Sequence, residues 1–146
     1  MINYSKDEGV IYPLPKKIID NMLNNSKNIF IKFTSHEPTK KTILRIRPGY
    51  KLYLYQSESE KTIVGEAVIK RIEYTSIKDI LKKYIERIIL SRKELIAYGN
   101  GRENKKLLTL HLSNLRRYND PFKLKKSITM SGQFVTQENK CSLFNC

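Results

Sequence analysis

The sequence has no tryptophan, six glycines, five prolines and only two cysteines in 146 residues. Cys141 and Cys146 both fall within the last six positions. Thiols so near the chain end cannot frame a small fold, which excludes a disulfide scaffold and leaves two free thiols as the reading. Oxidation or metal capture by that pair is the alternative. No apolar run approaches the ~18 residues of a membrane span, and no early apolar segment has the form of a signal peptide. The expectation is a soluble, cytoplasmic chain with no membrane partner. Metal-ligand spacing is missing, since His36, His111, Cys141 and Cys146 form no set apart from the terminal pair. "GNGRENKK" lacks the spacing of a phosphate-binding Walker loop, and no nucleophile–base pair stands out. No metal and no cofactor are therefore expected.

Negative charge is the other scarcity. Against 28 Lys and Arg stand 14 Asp and Glu, for a net charge of +14. The excess is unevenly placed: segments 27–51 and 101–126 carry +6 each, while 1–26 and 127–146 are neutral. Two separated basic segments that fold onto one surface favour a polyanion, RNA first and DNA second. The competing reading is ordinary solubility of a Lys-rich chain.

At this length one domain with a real core is expected, spanning 1–136, with a flexible tail over 137–146 and a monomeric state by default. "VIYPLP" reads as a strand that ends in a proline-bracketed turn, and Pro15 opens a short amphipathic helix over 15–25. "NIFIKFT" alternates as a strand with Ile29, Ile31 and Phe33 turned to the core. A further short strand is expected around Ile43–Arg47, with "RPG" as its turn. Strands over about 50–56 and 62–74 follow, and the second holds Gly65 and Glu66 at its middle. Ile77, Ile80, Leu81, Tyr84, Ile85 and Ile88 recur at helical spacing and predict about three turns. Ser91 to Glu94 has the form of a capping box opening a second helix, which closes in "YGNGRENKK". "LLTLHLSNL" alternates as a half-buried strand, and one or two short strands close the fold.

This order, with the phrases "VIYPLPKKIIDNML", "IFIKFTSH", "GYKLYLYQSESEKTIVGEAVIKRIEY", "ILSRKELIAYG" and "SITMSGQFVT", resembles the PUA-like superfamily of PUA, ASCH, EVE and YTH domains. Within it the chain is most similar to an archaeal family of unknown function. The resemblance implies an α+β fold: a mixed, mostly antiparallel β pseudo-barrel with a short N-terminal helix and a helical excursion between strands. It also implies a basic cleft that holds RNA or a modified nucleotide. Some ASCH proteins resemble small amidohydrolases acting on acylated cytidine, with a lysine and a threonine on the second strand and a glutamate from the excursion. Lys27 stands at the lysine position, but Phe30 replaces the threonine and Ile88 and Ile89 occupy the glutamate region. One of three is present, so that activity is not carried over. Lys27, Lys32, Thr34 and Glu66 remain the catalytic candidates.

The candidate nucleic-acid contacts fall into groups. "KFTSHEPTKK" offers Lys32, Lys40 and Lys41 to phosphates and Thr34, Ser35 and His36 to base or sugar. Arg45, Arg47 and Lys51 flank a turn ahead of Tyr53 and Tyr55, and cations interleaved with aromatics suit single-stranded RNA. Arg102, Lys105 and Lys106 are a second basic bank, and Ser131 with Gly132 offers backbone amides. Set against these is the plainer view that charge runs are solvated faces and that the tyrosines cover a core. Glu66 reads most simply as a strand carboxylate paired with Lys51 or Arg45. A basic adaptor for an acidic protein is the third functional reading, after RNA binding and a nucleoside-modifying hydrolase.

Overall fold

The computed structural model describes residues 9–33, 46–57, 61–129, 132–136 and 138–144. Its elements run β1 (Gly9–Leu14), α1 (Lys16–Asn24), β2 (Ile29–Phe33), β3 (Lys51–Gln56), β4 (Thr62–Ser76), α2 (Ile77–Lys83), α3 (Arg92–Tyr98), β5 (Lys106–Lys123), β6 (Gln133–Val135) and α4 (Lys140–Phe144). The strands form one sheet in the order β2-β5-β4-β3-β1-β6. All neighbours are antiparallel except β1 and β3, which run parallel with Tyr12 beside Leu54.

The sheet is curled, and a single ring contact demonstrates it. Four strand steps separate β2 from β1, which in a flat sheet would hold them roughly 19 Å apart. Yet Phe30 of β2 and Tyr12 of β1 stack with centroids 5.2 Å apart and planes 13° apart. The sheet has wrapped into a half-barrel with these two rings across its opening. Bulges make the wrap feasible: the β4–β5 register shifts between Ile63 and Gly65, between Glu66 and Val68, and between Ile69 and Arg71. Gly65 sits at the first of them, where a Cβ would run into the backbone carbonyl of Arg116. A glycine at mid-strand is thus required by the close approach of β5.

Two cores result. The larger joins Val10, Tyr12, Ile19, Met22, Phe30, Leu52, Leu54, Ile69, Ile80 and Leu110 with the inner faces of the first three helices. A smaller one holds Ile11, Tyr53, Tyr55, Ile63, Leu124, Val135 and Leu143 on the opposite face of β1 and β3. Alternation along β1 divides Val10 and Tyr12 from Ile11, and so places one strand in both cores.

Several expectations need correction. The three-turn helix over 77–88 is only α2, which Ser76 caps by accepting from the Asp79 amide and which ends at Tyr84. Beyond it the chain runs alongside β2: Ile29 donates to the Arg87 carbonyl, and Ile89 donates to that of Ile29. Ile88 and Ile89 stay buried in this extended path. Phe30 is buried too, although it faces away from Ile29 and Ile31, because the curl covers both sides of β2. Ile46 and Arg47 lie outside any strand, and the rest of that expected strand lies outside the described residues. The segment expected as a flexible tail carries α4, whose Leu143 is buried. Its carbonyl accepts from the Lys125 amide. Cys141 is disulfide-bonded and so is not a free thiol. The capping box holds as read, with Ser91 and Glu94 exchanging side-chain-to-amide bonds at 3.1 and 2.9 Å.

Candidate nucleic-acid interface

The cross-strand register sets the site at the C-terminal end of β2. Lys32 lies opposite Leu108 of β5, and Leu108 lies opposite Tyr74 of β4, so the three side chains share the inner face of the curl. Tyr12 reaches them from β1. The Lys32 ammonium sits 5.4 Å from the Tyr12 ring centre, on the same ring that stacks on Phe30. Burial holds the Lys32 amine below the usual lysine range. Burial, helped by the neighbouring Tyr74, pushes the Tyr12 hydroxyl up to about 12. Gly132 (φ 87°) closes one side, where a Cβ would meet the Tyr12 ring and the Ile11 carbonyl. One cation in an aromatic mouth is the result.

On the other face of the same strand end, Phe33 packs against Tyr98 at 4.9 Å, and the Tyr98 hydroxyl accepts from the Phe33 amide at 3.0 Å. Arg102 lies 4.1 Å from the Phe33 ring centre and 4.8 Å from that of Tyr98. Its guanidinium also donates to the Tyr98 carbonyl at the exit of α3. Lys105 follows on the exposed loop, and the exposed Lys106 opens β5 opposite Ser76. Lys32, Arg102, Lys105 and Lys106 are therefore brought to one end of the β2-β5-β4 sheet. Thr34, Ser35, His36, Lys40, Lys41, Arg45 and Ser131 lie outside the described residues.

The remaining candidates are placed elsewhere. Tyr55 is buried in the smaller core at 5% exposure and presents no ring face to a base. Lys51 is held 3.4 Å from Glu66, and Arg47 donates to the Ile46 carbonyl. Lys27, at the opposite end of β2, donates to the Glu86 carbonyl at 2.6 Å. Glu66 shares the face of Tyr53, its partner in the β3–β4 register. There it accepts from Tyr118 at 2.7 Å and from Arg116 at 3.2 Å. Burial pushes its carboxyl up, but the Tyr118 hydroxyl and the Lys51 and Arg116 charges prevail and leave it below the usual range. Glu66 and Lys32 thus stand on opposite faces of the sheet and Lys27 lies at the far end of β2, so the three described catalytic candidates do not assemble as a set.

Two groups went unread in the sequence. Tyr12 looked like an ordinary strand residue, and only the curl makes it the partner of Lys32. The second is a surface cluster in which His111 Nε2 meets Glu73 at 2.6 Å and Arg71 at 3.1 Å. Tyr84 sets its edge against the His111 ring, and Arg87 lies over Tyr84. A cleft of about 600 Å³ between α1 and α3 is lined by Lys17, Asp20, Asn21, Ser91, Lys93 and Glu94, none of them a predicted site residue. Among the described residues no group of three His, Cys, Asp or Glu side chains could hold a metal ion, and no helix is long and apolar enough to cross a membrane.

The curled sheet with its helical excursion has a PUA-like fold, the fold of ASCH domains. The ASCH protein of Zymomonas mobilis superposes with a TM-score of 0.72 over 94% of each chain at 14% identity, a likeness of fold. The model of a family described as a domain of unknown function (DUF365) matches residues 7–137, and the chain belongs to that family. An uncharacterised protein of Methanocaldococcus jannaschii is 30% identical over an alignment of 98 residues that covers 60% of this chain and 91% of that protein.

Proposed function

We propose that the chain binds single-stranded RNA at the C-terminal end of β2. The observation that carries the reading is the pairing there of cations with aromatic rings: Lys32 over Tyr12, and Arg102 over Phe33 and Tyr98. Cations follow a phosphate backbone while planar groups take bases, which is the chemistry of single-strand recognition. The net charge of +14 and the superfamily resemblance favour the same class of ligand. Lys32, Lys105 and Lys106 supply phosphate contacts, joined by Lys40 and Lys41 of "KFTSHEPTKK". Tyr12 and Phe30 are buried, so the partly exposed Tyr74 is the ring near Lys32 that a modified base would meet.

Five such contacts predict a log–log salt slope of about −3.5 for a short oligoribonucleotide, read by fluorescence anisotropy. Affinity that ignores salt, or no affinity at all, sinks the proposal.

A second reading, a small nucleoside hydrolase, has one observation in its favour: the Lys32 amine is half-buried and held low by desolvation. It predicts turnover of an acylated nucleoside that disappears in Lys32→Ala. An absence of turnover by the wild type across acylated nucleosides removes it.

A further inference from the structure

The arrangement around Arg102 has a geometry that simple phosphate contact does not need. Phe33 and Tyr98 lie 4.9 Å apart, and the guanidinium lies 4.1 and 4.8 Å from their centres. The three centres make a nearly equilateral triangle. A guanidinium sandwiched between two rings would hold them about twice as far apart, so Arg102 rests on both from one side. The residue itself remains partly exposed.

The guanidinium is also tethered. The guanidinium donates to the Tyr98 carbonyl, while the Arg102 backbone is held in consecutive turns. Its amide donates to Gly99 at 2.8 Å, and its carbonyl accepts from Lys105 at 2.9 Å. Gly101 (φ 80°) adopts the left-handed turn just before it, with its amide on the Glu103 carboxylate. A long side chain that only needed to reach phosphates gains nothing from being tethered against two rings. A planar cation tethered beside two rings and still partly exposed suits stacking, because a guanidinium stacks on nucleobases as an aromatic ring does.

We propose that Arg102 is a stacking platform for one unpaired base of a bound RNA, with Lys105 and Lys106 beside it on the flanking phosphates. This rests on the RNA-binding reading above and adds the role of one residue to it. An arginine used for its plane cannot be replaced by lysine, whereas one used only for its charge can.

The test compares Arg102→Lys, Arg102→Ala and Lys105→Ala on an unstructured oligoribonucleotide carrying one 2-aminopurine, with melting curves for each variant. Arg102→Lys should bind about 5- to 150-fold more weakly than wild type, the equivalent of losing one stacked base. Its salt slope should be unchanged, and the fluorescence change of the stacked 2-aminopurine should vanish. Lys105→Ala should instead flatten the slope by about 0.7 and keep that signal. An abasic substitution walked along the RNA serves as the second measurement on wild-type protein. At one position it should cost the same factor, and Arg102→Lys should add nothing to it. If wild type binds with a salt slope but Arg102→Lys matches it, the platform is refuted and RNA binding stands. If wild type binds no RNA, both fall together.

Discussion

Tyr118 of β5 donates its hydroxyl to Glu66 of β4 at 2.7 Å, and the carboxylate it holds also receives Arg116 and Lys51. Three donors from two strands converge on one side chain that is only 11% exposed. The network clamps β3, β4 and β5 together at the bulges that curl the sheet. Glu66 is accordingly a structural carboxylate. Glu66→Gln should lower stability by about 1–3 kcal/mol, the cost of weakening a buried charged acceptor. Because the folded carboxyl titrates below its unfolded value, its contribution is present at neutral pH and is lost as pH falls through the folded pKa. Urea midpoints of wild type and Glu66→Gln should converge in acid, and a gap that stays constant down to pH 3 contradicts the assignment.

Gly65 should tolerate no side chain. Gly65→Ala forces a methyl against the Arg116 carbonyl, a backbone atom that can yield only if the bulge moves. A loss of roughly 1–3 kcal/mol is expected from this overpacking, measured by urea unfolding. Neutral or stabilising behaviour would show that the two strands are not so tightly apposed.

Leu143 anchors α4 on the smaller core beside Tyr53, Tyr55 and Val135. Leu143→Ala should cost about 2–5 kcal/mol if that packing is real. Phe144 extends it, with its ring centre 5.0 Å from that of Tyr53 and 5.4 Å from that of Phe122. Protease digestion offers a second readout: cleavage after residue 137 should be slow in wild type and rapid in the variant. Equal rates would make α4 dispensable.

Tyr12 should resist ionisation. Its hydroxyl is pushed up to about 12 from 10.0, so the folded state loses stability as pH rises between those values. Tyr12→Phe removes the group and should flatten that decline. A phenolate titration should show one fewer late-ionising tyrosine in the variant, beside Tyr118, which burial and Glu66 also hold high. Early ionisation of every tyrosine would mean that the aromatic mouth is open to water.

Much of the architecture was legible because it rests on local rules. The capping box at Ser91, the turn at Pro48 and Gly49, and the strands around Gly65 each follow from residues within a few positions. Helix 77–88 was misread for an instructive reason. Its periodicity correctly marks Ile77, Ile80 and Ile88 as buried, but periodicity reports burial and not the path of the backbone. The chain leaves the helix at Tyr84 and buries Ile88 against Ile29 as an extended segment. Tyr55 and the tail were a single misjudgement. Alternation assigns Tyr53 and Tyr55 to one face of β3, yet whether that face is wet depends on α4, more than eighty residues onward. The pairing of Lys32 with Tyr12 was out of reach for a similar reason, since it exists only once the sheet has wrapped.

The Tyr12–Phe30 stack has a consequence for how the barrel can move. Among the described residues β1 and β2 share no ladder of backbone hydrogen bonds, so side chains alone bridge the seam between them. A ring pair of this kind contributes about 0.5–1.5 kcal/mol beyond its burial, far less than a strand pairing. The seam can widen or narrow while every strand keeps its neighbours. Widening it would expose the buried Tyr12 and Phe30 rings to water, so this stack holds the curl shut along that edge.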